Sequence, residues 1–217
     1  MKSQIHTLSQ ISAALLLCGL AAHASAAGTV VLDTFGPGTT ADQWASDLYR
    51  AGSDHQDIAI AFTLGSATSI QSILTSIEGF GGPGGVTLGI MAKQGAVPTG
   101  SNWLYSAHLD SPTANTLLSP TGWALAAGSY WLTAVADDGF AGIWQSGTNT
   151  PSAAWAYGNA TAWQEVTSPL IGAAAARITV TAAVPEPATY GLMFAGGLLL
   201  AAVARRKGGQ SNTRQQG

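Results

Sequence analysis

Asp57-Ile58-Ala59-Ile60-Ala61-Phe62-Thr63-Leu64 and Tyr130-Trp131-Leu132-Thr133-Ala134-Val135 decide the fold. Both are short, rich in β-branched and aromatic residues, and too short for a buried helix, so they predict strands. Val86-Thr87-Leu88-Gly89-Ile90 and Arg177-Ile178-Thr179-Val180-Thr181 read the same way. Working outward, Thr29 to Phe35, Ser69 to Ile77, Trp103 to Leu109, Phe140 to Gln145 and Ala153 to Tyr157 bring the expectation to about nine strands. Turn chemistry separates them: Gly36-Pro37-Gly38, the Gly-rich run from Gly79 to Gly85, Gly95 to Ser101, Ser111-Pro112 and Asp137-Asp138-Gly139. The expected fold is all-β, a jelly-roll-like antiparallel β-sandwich over residues 27–182. No long helix is expected, although Thr40 to Tyr49 is read as one or two helical turns.

The 217 residues are 47% hydrophobic and 9% charged, which excludes a disordered chain. From Ala27 to Val184, ten acidic residues face only Arg50, Lys93 and Arg177, a net charge of −7. A phosphate-backbone reader needs the opposite sign, so nucleic acid is excluded as a partner.

The ends carry an address. Residues 1–26 begin with Lys2, continue through an apolar stretch from Ile11 to Leu20, and finish in Ala24-Ser25-Ala26, the layout of a secretory signal peptide. Cleavage is expected after Ala26, with Ala24 as the alternative. The single cysteine, Cys18, lies in this segment behind Leu17, where a lipoprotein signal wants a small residue. The mature protein is therefore expected to lack cysteine and to be held by packing alone. At the other end, Val184-Pro185-Glu186-Pro187 precedes an apolar run over residues 188–204, then Arg205-Arg206-Lys207 and a polar cytoplasmic tail, residues 208–217. As a helix the run reaches roughly 26 Å, a marginal transmembrane span. The basic cluster keeps its end cytoplasmic, which places the preceding domain outside the inner membrane.

This three-part end resembles the PEP-CTERM sorting signal of Gram-negative bacteria. The resemblance rests on Pro185-Glu186-Pro187, the helix with Gly191, Gly196 and Gly197, and the Arg205-Arg206-Lys207 cluster over residues 183–207. It implies recognition by an exosortase, a membrane transpeptidase that cuts near the Pro-Glu-Pro and passes the protein toward the cell surface or extracellular matrix. The stretch from Leu125 to Asp138 with Trp144, the early Phe35-Gly36-Pro37-Gly38 and the strand Ala59 to Phe62 resemble the choice-of-anchor R domain. That resemblance implies an extracellular β-rich module and brings no catalytic residues.

Apparatus for covalent catalysis is thin. Downstream of Ala26 there are two histidines, no cysteine and no Gly-x-Ser-x-Gly elbow, and the Gly79 to Gly85 run lacks the Lys-Ser/Thr of a phosphate loop. His55-Gln56-Asp57 and His108-Leu109-Asp110 each put an imidazole and a carboxylate on one face of a strand, a conceivable zinc set. Asp137-Asp138-Gly139 is the better place for a cation, and calcium is the ion such a turn suits. All seven tryptophans fall in the exported domain. Trp131 is expected in the core, whereas Trp103, Trp155 and Trp163 are candidates for stacking on sugars, with Trp155 and Trp163 expected to be exposed.

The leading expectation is a non-enzymatic, surface-sorted protein without a cofactor, with a structural or interaction role in exopolysaccharide or biofilm. Its expected partners are exosortase, exopolysaccharide or other surface proteins, and transiently the inner membrane. The alternatives are a carbohydrate-binding module and a secreted glycoside-active enzyme with paired carboxylates.

Overall fold

The computed structural model describes residues 28–99, 102–149, 154–158, 163–166, 172–182 and 196–198. The chain divides into two compact units, residues 1–182 and 183–217. In the second unit, residues 196–198 are helical. Among the described residues no helix is long and apolar enough to cross a membrane. The signal-cleavage residues Ala24 and Ala26, the motif Val184 to Pro187 and the cluster Arg205 to Lys207 lie outside the described residues.

Among the described residues the first unit is all-β. Its strands are β1 (Thr29–Asp33), β2 (Ala41–Ala51), β3 (Asp54–Leu64), β4 (Thr68–Thr75), β5 (Ile77–Gly79), β6 (Gly85–Ala92) and β7 (Trp103–Asp110). They continue with β8 (Thr116–Leu118), β9 (Ala124–Leu125), β10 (Gly128–Ala136), β11 (Ala141–Gly147), β12 (Trp155–Gly158), β13 (Gln164–Val166) and β14 (Ala176–Ala182). One sheet runs β1-β14-β4-β8, with β9 also on β4; the other runs β5-β11-β2-β3-β10-β6-β7, with β12 on β3 and β13 on β12. The pairings are antiparallel and many are nested: β1 with β14, β2 with β11, β3 with β10, β4 with β8 and β9, and β6 with β7.

Each expected strand region carries strand, but the stretch Ser69 to Ile77 is two strands that lie in different sheets, β4 and β5, divided at Ser76, and the helical expectation for Thr40 to Tyr49 is corrected. That stretch is β2, paired with β11 from Ala41 to Tyr49 and turned into β3 through Gly52-Ser53. Gly52 has φ +63°, as the first position of a two-residue hairpin requires. Long-range pairing outweighs a weak local preference here. β2 holds β3 only from Tyr49 to Ala51; from Asp57 onward the same edge of β3 is taken by β12.

The two sheets share one apolar core. Leu32, Ile70, Ile73, Ile178 and Val180 of the first meet Leu48, Ile58, Ile60, Leu88, Ile90 and Leu132 of the second, all buried. Each such side chain contributes about 1.5–3 kcal/mol when fully buried. With no disulfide in this domain, this packing holds the sheets together.

Candidate functional site

The tryptophans separate by depth. Trp144 is fully buried, and its indole N–H donates to the Ala175 carbonyl at 2.9 Å. Trp155 is 5% exposed, which overturns the expectation that it lies open to ligand. It sits opposite Ile60 on β3, in the shared core. The Ala/Ser/Asn-rich surroundings concealed that partner because the strand is short and its neighbour lies far away in sequence. Trp123 is buried and stacks on Tyr105, with centroids 5.5 Å apart.

Trp131 is fully buried as expected, but in a second cluster with Ala59 and Met91. These residues alternate with Ile58, Ile60, Ile90 and Leu132 of the core, so they occupy the opposite face of the sheet. Half-buried Trp103 and Trp163 pack on this cluster. A Cβ on Gly89 would lie 2.4 Å from the Trp103 ring, so that glycine makes room for it. A glycine inside an otherwise apolar strand was the sequence signal for such a close approach. Lys93 Nζ lies 4.7 Å from the centre of the Trp131 ring and donates to the Gly95 carbonyl at 2.6 Å. The Trp131 and Trp163 indole N–H groups are buried without a hydrogen-bond partner. An open groove of about 400 Å³ beside this cluster is lined by Ala61, Thr63, Lys93, Ser129 and Ala154, among others. Among the described residues, Trp44 is the tryptophan that is largely exposed, at 76%. It precedes Ala45 where the β2–β11 register shifts, and such bulges redirect side chains.

The candidate metal residues gather at one end of the nine-stranded sheet, where polar side chains fasten strand ends. Asp57 is fully buried; its Oδ1 accepts from the Ala136 N–H at 3.2 Å while Oδ2 faces Arg50 at 3.6 Å and His55 at 3.9 Å. Arg50 Nε donates to the Ala136 carbonyl at 2.7 Å, so the pair grips both backbone groups of that residue. Burial raises the Asp57 pKa above the usual carboxylate value, opposed by the Ala136 N–H, Arg50 and His55. His108 Nε2 lies 3.0 Å from Asp110 and 3.5 Å from Asp137.

Each His-x-Asp pair does share a strand face, but the pairs sit on β3 and β7 with β10 and β6 between them. Three strand spacings, roughly 14 Å, keep them from one zinc ion. Asp137 and Asp138 also diverge. Asp137 Oδ2 accepts from the Gly85 N–H at 2.8 Å, and Asp138 Oδ1 accepts from the Gly52 N–H at 2.8 Å. Their turn, closed by the Phe140 N–H on the Asp137 carbonyl with Gly139 at φ +85°, clamps two neighbouring loops. Among the described residues no group of three or more His, Cys, Asp or Glu is arranged to hold a metal ion.

The Phe35-Gly36-Pro37-Gly38 loop is built around Arg177, which bonds Asp33 at 2.9 Å and the Gly38 carbonyl at 2.6 Å. A Cβ on Gly36 would collide with Thr148, so the glycine is a packing requirement. Arg50, Lys93 and Arg177, the three basic residues of this domain, are thus all engaged within it.

The fold and its contacts define a β-sandwich module whose charged groups brace the structure, followed in the chain by a separate C-terminal unit. Residues 183–207 of that unit match the PEP-CTERM protein-sorting motif. The motif implies an exported protein recognised and sorted by an exosortase. No curated protein matches the chain.

Proposed function

We propose that this is an exosortase-sorted protein of the cell surface or extracellular matrix, whose β-sandwich has a structural or interaction role and no catalytic one. The observation that carries the reading is the sorting motif at residues 183–207. In it, Pro185, Glu186 and Pro187 serve as the recognition sequence for another enzyme, and Arg205, Arg206 and Lys207 hold the end of the span on the cytoplasmic side. Ala24 or Ala26 marks removal of the signal peptide. The non-catalytic role is supported by the use of Arg50, Asp57, His108, Asp137 and Arg177 as fasteners of strand ends and loops. No cofactor is assigned. The nested antiparallel pairing supports a jelly-roll reading, and the Arg177-centred loop from Phe35 to Gly38 supports likeness to the choice-of-anchor R domain.

The site of action is the exopolysaccharide matrix of a Gram-negative bacterium. C-terminal peptide mapping of protein recovered from the native surface tests the sorting step: the segment after Pro187 should be missing. Recovery of Gly217 on the surface protein overturns it. Fractionation of the native biofilm tests the destination, with the protein expected in the polysaccharide fraction. A carbohydrate-binding reading also has an observation in its favour, since Trp44 and Phe80 expose aromatic rings that the core does not use.

A further inference from the structure

We infer that the outer face of the β2–β11–β5 ribbon binds a polysaccharide carrying free amino groups, of the glucosamine type. This rests on the matrix reading above and names the chemistry of its partner. The face is defined by register. Tyr49 lies opposite Ala141, and the Phe80 N–H continues the ladder by donating to the Ala141 carbonyl at 2.8 Å. In the next row on the same face Asp47 lies opposite Ile143, which lies opposite Glu78. The intervening row, Leu48, Gly142 and Gly79, points inward: Leu48 is fully buried, and a Cβ on either glycine would meet the Phe140 ring. Phe80 is 65% exposed. Two rings therefore flank a small alanine, about 10 Å apart across two strand spacings, with two carboxylates flanking an isoleucine beside them.

Charge selects the ligand. Among the described residues neither the Asp47 nor the Glu78 carboxylate has a hydrogen-bond or ion-pair partner, the Gln56 amide donating only to the Asp47 backbone carbonyl, while all three basic side chains of the domain are engaged elsewhere. The face lacks a cation that a ligand would supply. A uronic-acid polymer meets repulsion here, whereas an amino sugar brings an apolar ring face for stacking and an ammonium for both carboxylate and aromatic ring. Geometry favours a glycan over an added peptide strand. From Gly142 to Trp144, β11 is paired on both sides, so its main chain is used and recognition must proceed through side chains. Tyr49 is prepared for this, since its hydroxyl donates to Asp54 at 3.1 Å and holds the ring in place.

The test is calorimetric titration of the full chain in detergent with a glucosamine hexamer, its fully N-acetylated counterpart, alginate and an oligolysine peptide. The glucosamine hexamer should bind saturably and roughly tenfold more tightly than the acetylated one. The double variant Asp47→Asn with Glu78→Gln should remove that preference, and Phe80→Ala should weaken both sugars about fivefold or more. Equal affinity for the two hexamers, tight binding of alginate, or indifference to these exposed substitutions overturns the inference. Oligolysine binding without sugar binding also overturns it and assigns the face to a protein partner. If the wild-type protein stays in the native polysaccharide fraction yet ignores the glucosamine hexamer, this assignment alone fails; if it is absent from that fraction, the matrix reading fails as well.

Discussion

The two faces of β3 and β10 carry the same amount of strand and different kinds of packing. The inner face, with Ile58, Ile60, Phe62 and Leu132, meets a second sheet and buries branched aliphatic side chains against it. The outer face carries small Ala59 and large Trp131, with Trp103, Trp163 and Lys93 packed near them. The buried indole N–H of Trp144 on the inner side is matched by the Ala175 carbonyl; the outer Trp131 and Trp163 indole N–H groups are not matched. A sheet backed by another sheet has backbone carbonyls at hand from the segment crossing its edge. A side chain that covers an outer face finds fewer. Tryptophan content in this domain therefore follows packing more than ligand binding.

Substitutions can break or sharpen that contrast. The largest effect is expected from Trp144→Ala, which opens a cavity in the inner core and leaves the Ala175 carbonyl with the Ser76 N–H as its remaining donor. Urea unfolding should show a loss of about 3–5 kcal/mol. Trp131→Phe should cost less, roughly 1–2 kcal/mol, because the lost volume is partly offset by removal of an unpaired N–H. A loss equal to that of Trp144→Phe would erase the distinction between the faces.

Asp57 extends the comparison to pH. Its folded pKa lies above the unfolded value of about 3.9, so the folded state binds the proton more tightly. Its contribution is most favourable below the unfolded pKa, declines as pH rises through the folded pKa, and stays low at neutral pH. Asp57→Asn should flatten this part of the stability profile, an effect visible in thermal melts taken across that range. An unchanged slope would show that another group titrates there. The smallest effect is expected at Trp44, whose ring is outside both clusters. Trp44→Ala should alter stability by no more than about 0.5 kcal/mol, and a larger loss in the same urea assay would reveal a packing role.

Much of the fold was legible beforehand because strands announce themselves through β-branched and aromatic runs bounded by Gly, Pro and Asp. Helical turns at Thr40 to Tyr49 were the miss: Trp44, Ala45 and Leu48 give no clean period of two where β2 bulges. β8, β9 and β13 also went unseen, being two or three residues long with little pattern to read. Of the candidate residues, the shared faces of His55 with Asp57 and of His108 with Asp110 followed from period two alone. That Asp57 grips the Ala136 backbone and that His108 faces Asp137 did not, because these partners lie on other strands or turns, Ala136 being 79 residues from Asp57.

The sequence by itself determined the all-β class, the absence of a basic surface for nucleic acid and the sorting signal at the C-terminal end. These depend on composition, local alternation and a contiguous motif, all of which are one-dimensional. Tertiary structure alone decided that Trp155 is core, that Asp137 and Asp138 diverge, and that Tyr49, Phe80, Asp47 and Glu78 share one face. Each of these depends on which strand lies beside which and in what register, and that is set by burial and pairing between residues far apart in the chain.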